Sequence, residues 1–182
     1  VKLCRIEEAI RVDQHTLVLD PLYAASHINR GVNLMLLGRF LEGAKEYEWR
    51  WKDGELKPFF RELTQPLWLG ESSLEGKSIL VTCEQGMGDF IQISRYFPLL
   101  CEKAARVIIE TPWALQPLMV SLTGRYEWVV QGDPLPLSDV YCPIMSLPLA
   151  FRTDLSSIPA PLGYLRAPED CVRLWRNRLG TG

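Results

Sequence analysis

Residues 78–96 read SILVTCEQGMGDFIQISRY. The opening run S-I-L-V-T-C has the length and residue types of a strand buried on both faces. Two glycines and an aspartate follow, then a segment that reads as a helix, so the stretch is a strand–turn–helix. The turn Gly86-Met87-Gly88-Asp89 admits two readings. Its glycines let the backbone come close to a ligand while Asp89 works as a carboxylate. Alternatively it is a tight bend, and Asp89 caps the free N–H groups of the helix, a gain of about 1 kcal/mol.

Working downstream, a helix is expected over 89–103, a strand over 106–110 and a proline-opened helix over 112–122. Strands follow over 126–131 and 139–143, then a short helical turn in MSLPLAF (145–151) and a last helix over 167–180. Strands alternating with helices predict an α/β fold, a Rossmann-like parallel sheet with helices on both faces. Ligands of such sheets bind beyond the carboxyl ends of the strands, which is where the 83–89 turn falls. The dinucleotide fingerprint is incomplete, because Ile91 stands where its third glycine belongs, although Glu110 lies at about the distance of its acidic residue. The lysine of a phosphate-binding loop is missing too. Classical NAD or ATP binding is disfavoured on both counts.

The 182 residues are 47% hydrophobic and 23% charged, which describes a globular chain of one ordinary domain, or of one domain with a small appendage. Twenty Lys and Arg against 22 Asp and Glu give a formal charge of −2, which argues against general nucleic-acid binding. Cys4, Cys83, Cys101, Cys142 and Cys171 are scattered, with no C-x-x-C pair, and read as reduced thiols of a cytoplasmic protein. His15 and His27 lie far in sequence from any Cys or carboxylate cluster, so no metal is expected. No apolar run approaches the ~20 residues of a membrane span, and no signal peptide is visible. The chain opens at Val1 without Met and closes just after a helix-like segment, the expectation being of a piece of a longer protein.

Upstream there is a repeat. Residues 3–10 (LCRIEEAI) match 37–44 (LGRFLEGA) in Leu, Arg and Glu at a spacing of 34, with small Ala9 and Gly43 also in register. That period resembles the tetratricopeptide repeat. Helices are expected over 5–19, closed by Asp20-Pro21, over 23–37, with Gly31 where two helices must pack closely, and over 40–51. Phe40, Ala44, Tyr47 and Trp51 share one face of the third. The expected organisation is a partial tetratricopeptide-like hairpin over 1–52, an irregular connector over 53–76 anchored by Pro66-Leu67-Trp68, and a Rossmann-like domain over 77–182. The helical part reads as a partner-binding surface or as a spacer docked on a domain.

Taken together, RFLEGAKEYEWRW (39–51), PLWLGESSLEGKSILVTCEQGMGDFIQISRYFPLL (66–100), GDPLPLSDVYCPIMSLPLAF (132–151) and IPAPLGYLRA (158–167) resemble bacterial tetratricopeptide-repeat proteins fused to a glycosyltransferase of the ADP-heptose transferase type. The most specific part is E-Q-G-x-G-D-x-I-Q-x-x-R-Y, 84–96. The resemblance implies the N-terminal half of a GT-B fold, in which two Rossmann-like domains face each other and this one holds the acceptor. It implies Asp89 as general base, with Gly86 and Gly88 shaping the acceptor loop. Glu84, Gln85, Gln92 and Arg95 flank Asp89 and are placed by position alone as acceptor or loop contacts. The implied donor is a nucleotide-sugar bound by a domain outside this chain, and no cofactor is expected within it. The implied partners are a sugar or glycan acceptor and a protein docked on the helical repeat. The half alone is expected to be inactive, since it neither excludes water nor orients both substrates. The alternative is a non-catalytic interaction module with the repeat as docking surface.

Overall fold

The computed structural model describes residues 5–54, 63–84, 86–160 and 162–180. Three helices open it: α1 (Ile6–Leu19), α2 (Ala24–Leu36) and α3 (Phe40–Tyr47), the last running into a 3-10 turn over Glu48–Lys52. Asp20 ends α1, where its N–H donates to the Thr16 carbonyl and its carboxylate accepts the Leu22 N–H. Gly38, at φ +79, turns the chain out of α2.

α2 and α3 meet backbone to backbone. A Cβ on Gly31 would lie 2.8 Å from the Gly43 carbonyl oxygen, and one on Gly43 would lie 2.6 Å from that of Gly31. No larger residue fits at either place.

The polypeptide divides into two compact units, one of Val1–Ser73 with Met145–Ile158 and one of Leu74–Ile144 with Pro159–Gly182. This differs from the expected division at 52 and 76, because 145–158 belongs with the helices. Buried contacts explain that membership. Arg50, with no exposed surface, donates to Glu48 Oε1 at 2.7 Å, Ser146 Oγ at 2.8 Å and the Tyr47 carbonyl at 3.2 Å. Ser146 in turn donates to Glu48, and the guanidinium lies over the Tyr47 and Trp51 rings. Trp68 is buried as well, edge-on to Phe151, with its indole N–H on the Ser72 carbonyl.

The second unit holds a four-stranded sheet of β1 (Ser78–Thr82), β2 (Arg106–Thr111), β3 (Tyr126–Val130) and β4 (Val140–Pro143). All pairs are parallel and the order is β3-β2-β1-β4. The α/β expectation is met at this level. Successive residues Ile79, Leu80 and Val81, and likewise Ile108 and Ile109, are fully buried, so both faces of β1 and β2 are covered. The chain winds outward from β1 to β3, then crosses back to β4 on the other side of β1, which places the reversal of winding between β1 and β4. At the opposite end of these strands, the Asp139 carboxylate accepts the Ser78 N–H and hydroxyl at 2.7 and 2.6 Å. These bonds hold Asp139 below its ordinary titration range, so the latch is lost only as pH falls through that depressed value.

The helix expected over 89–103 is broken into α4 (Met87–Ile93), a 3-10 turn over Ser94–Tyr96 and α5 (Phe97–Cys101). Pro98 has no N–H to give the preceding turn, and its ring crowds the carbonyl there. Pro117 acts similarly on the helix expected over 112–122, which shrinks to a 3-10 turn over Trp113–Leu115 and α6 (Gln116–Met119). After β4 come a 3-10 turn (Ile144–Ser146), α7 (Leu147–Ala150) and, last, α8 (Glu169–Leu179), which buries no residue. No helix among the described residues is long and apolar enough to cross a membrane.

Because truncation of Arg50 leaves buried Ser146 and part-buried Glu48 without their partner, Arg50→Ala should cost about 3 kcal/mol or more in urea unfolding. Arg50→Lys should recover little, since one ammonium cannot span the Glu48 and Ser146 positions as a guanidinium does. A loss under about 1 kcal/mol for Arg50→Ala would contradict the role assigned to this residue.

Candidate functional site

The carboxyl end of β1 is built around Cys83 and Glu84. Thr82, buried, is in register with Pro143 of β4. The next N–H, that of Cys83, donates to Glu110 Oε2 at 3.1 Å. Glu110 is the penultimate residue of β2 and only 2% exposed, so a buried carboxylate ties the exits of two neighbouring strands together. Burial above all, then Glu110 and Glu84, pushes the Cys83 thiol up to about 12. This thiol stays protonated at neutral pH and is no nucleophile.

α4 starts two residues earlier than expected. Gly86 is its N-cap, in extended conformation at φ −70 and ψ 161, and its carbonyl accepts the Phe90 N–H at 3.1 Å. Asp89 is therefore the third residue of the helix, inside the first turn and facing its positive end, and is not the cap. Phe90, 1% exposed and edge-on to Phe97, and buried Ile93 fix the helix on the core. That anchoring leaves Met87 and Gly88 exposed and Asp89 half-buried. Among the described residues, Asp89 has no hydrogen-bond or ion-pair partner.

The two glycines do not make the tight bend that one reading of the sequence asks for. Neither has a positive φ. A Cβ on Gly88 would meet nothing within 4 Å, and one on Gly86 would meet only Asp89 Oδ2, at 3.5 Å. Their shared property is an open approach to the backbone beside Asp89.

Glu84, Gly86, Gly88 and Asp89 thus come together at the carboxyl end of β1, with exposed Gln92 one turn further along α4. Gln85 lies outside the described residues. Arg95 is engaged elsewhere: its Nε donates to the Gln92 carbonyl at 2.8 Å, its Nη1 to the Pro159 carbonyl at 3.3 Å, and its guanidinium lies over the Tyr164 ring. Tyr164 itself donates to the Ile91 carbonyl at 2.8 Å. Arg95 and Tyr164 together hold the segment after Pro159 against α4.

Glu110 and Tyr164 were not among the site residues expected from sequence. An acid closing the apolar strand RVIIE was the available signal for Glu110. Nothing local marks Tyr164, whose partner is 73 residues away. The assembled site is acidic, with a half-buried, unengaged carboxylate on a firmly packed helix. It is suited to accept a proton from a neutral hydroxyl. Among the described residues no group of three or more His, Cys, Asp or Glu is placed to hold a metal ion. No family model matches this chain, and comparisons with curated proteins and with solved structures give no significant match.

Two outcomes follow from this geometry. Gly88→Ala should leave the unfolding free energy within about 0.5 kcal/mol of the parent, since nothing crowds the added methyl. A loss above about 1 kcal/mol would mean the backbone needs glycine there. In alkylation with iodoacetamide at pH 8, exposed Cys171 should react readily while Cys83 stays unmodified in the folded chain. Equal rates would contradict the environment described for Cys83.

Proposed function

We propose that this chain is the acceptor-binding part of an inverting glycosyltransferase linked to tetratricopeptide-type helices, its nucleotide-sugar donor being held by a domain outside these residues. The observation that carries the reading is Asp89. It is a half-buried carboxylate with no described partner, set on a helix anchored by Phe90, at the carboxyl end of a strand flanked on both sides in a parallel sheet. In the proposed step, Asp89 takes the proton of an acceptor hydroxyl as its oxygen bonds to the anomeric carbon and the nucleoside diphosphate leaves. The open backbone at Gly86 and Gly88 gives a sugar or glycan room beside that carboxylate. The acids around Cys83 favour a neutral, hydroxylated ligand here and keep a diphosphate elsewhere.

The strand order fits a Rossmann-like half of a GT-B fold. The glycine contact between α2 and α3 fits the end of a tetratricopeptide repeat, and a cytoplasmic setting belongs to the same reading. One observation favours the second reading, a protein-docking module. A cavity of about 380 Å³ opens between α1 and α2, lined by Ala9, Val12, Asp13, Asn29, Val32 and Asn33. Asp13 there is raised above its ordinary titration range by burial, partly offset by hydrogen bonds with Ser26 and Asn33.

Asp89→Asn in the full-length parent separates the two readings. Loss of about 10²–10⁴ in turnover with an unchanged unfolding midpoint is the expected result. Turnover equal to the parent's would remove Asp89 as base.

A further inference from the structure

A second cavity, of about 480 Å³, lies in the helical unit and has no part in the reading above. Leu41 and Lys45 reach it from the same face of α3, Leu149 and Arg152 from the end of α7, and Leu69 and Glu71 from the loop between them in space. Two backbone features build it. Gly70, at φ +93, presses so close to the Ala150 carbonyl that no side chain fits there, and this sets Leu69 and Glu71 firmly on either side. Arg152, at φ +49, is the only residue besides glycines with a positive φ among the described residues.

Arg152 ends α7 in a Schellman motif, its N–H on the Leu149 carbonyl and the Thr153 N–H on the Pro148 carbonyl, both at 2.9 Å. Glycine is the favoured residue at that position, and arginine adopts it at a cost in stability. What the arginine adds is a cation on the cavity rim. Lys45 is the second cation, and neither side chain makes an ion pair or hydrogen bond with a described residue. Glu42, on the same helix as Lys45, is taken by Arg39. Glu71 also lines the cavity, with one carboxylate oxygen committed to the Leu69 N–H at 3.0 Å. Two cations against one carboxylate leave 2 − 1 = +1 around three leucines.

We infer that this cavity binds an aliphatic monocarboxylate, its chain on Leu41, Leu69 and Leu149 and its carboxylate between Lys45 and Arg152. The net single positive charge matches one carboxylate, and the leucines match an alkyl chain.

The test is an amide NMR titration of the 182-residue chain with octanoate, with octan-1-ol and octylamine as chain-matched controls. Octanoate should give saturable shifts at the cavity residues with a Kd of about 1 mM or tighter. The alcohol and the amine should bind about tenfold more weakly or not at all. Arg152→Gly keeps the backbone geometry, so it should raise Tm by a few degrees while weakening octanoate about tenfold. That combination also excludes misfolding as the cause of lost binding. No saturable shifts, shifts confined to other residues, octanol binding as tightly as octanoate, or unchanged affinity in Arg152→Gly would each overturn the proposal.

Discussion

Parallel pairing on both sides of β1 is the constraint from which the site follows. A strand paired in parallel with β2 on one side and β4 on the other sends all three carboxyl ends to one edge of the sheet. Fully buried Ile79, Leu80 and Val81 leave that strand no freedom to slip, because a shift by one residue would exchange its two packed faces. The chain must therefore leave at Thr82, and the Glu110 carboxylate takes up the first N–H beyond it. Only then does the polypeptide turn through Gly86 into α4. Asp89 owes its position to this succession, and the openness around it to the lack of side chains at Gly86 and Gly88.

The helical unit rests on a different pair of constraints. Gly31 and Gly43 let two helices touch at their backbones, and Arg50 is buried with Tyr47, Glu48 and Ser146 of the same unit. A buried guanidinium is costly unless each neighbour answers it, so Glu48, Ser146 and the Tyr47 carbonyl act as a set. Ser146 is 96 residues from Arg50 in the chain, and it comes with 145–158 into a unit otherwise made of earlier residues.

The legible parts of the sequence were those whose cause is local. The apolar run at 78–82, the alternation of strands and helices after it, and the helix ends at Asp20-Pro21 and Gly38 all follow from neighbouring residue types. Gly31 was readable too, as a small residue on an otherwise helical face. The single helix expected over 89–103 runs straight through Pro98, although that residue holds the reason for the break. Of the two readings of the turn glycines, tight bend and open approach, their ordinary φ values disfavour the bend and the free space beside them fits the approach. Long-range pairings left no local trace. Arg95 looks in sequence like a free cation beside a loop, whereas the structure commits it to Pro159 and Tyr164. Nothing in the run EWRWK marks Arg50, which is fully buried.

The central claim is that the open face beside Asp89 receives a neutral hydroxylated ligand. The most direct measurement is an amide NMR titration of this chain with a panel of sugars, and separately with ADP and nucleotide-sugars. The account predicts saturable shifts within 84–92 for an acceptor-type sugar and none there for the nucleotides. Shifts within 84–92 for nucleotides but for none of the sugars would contradict it, as would a face silent to every ligand while peptides perturb α1 and α2.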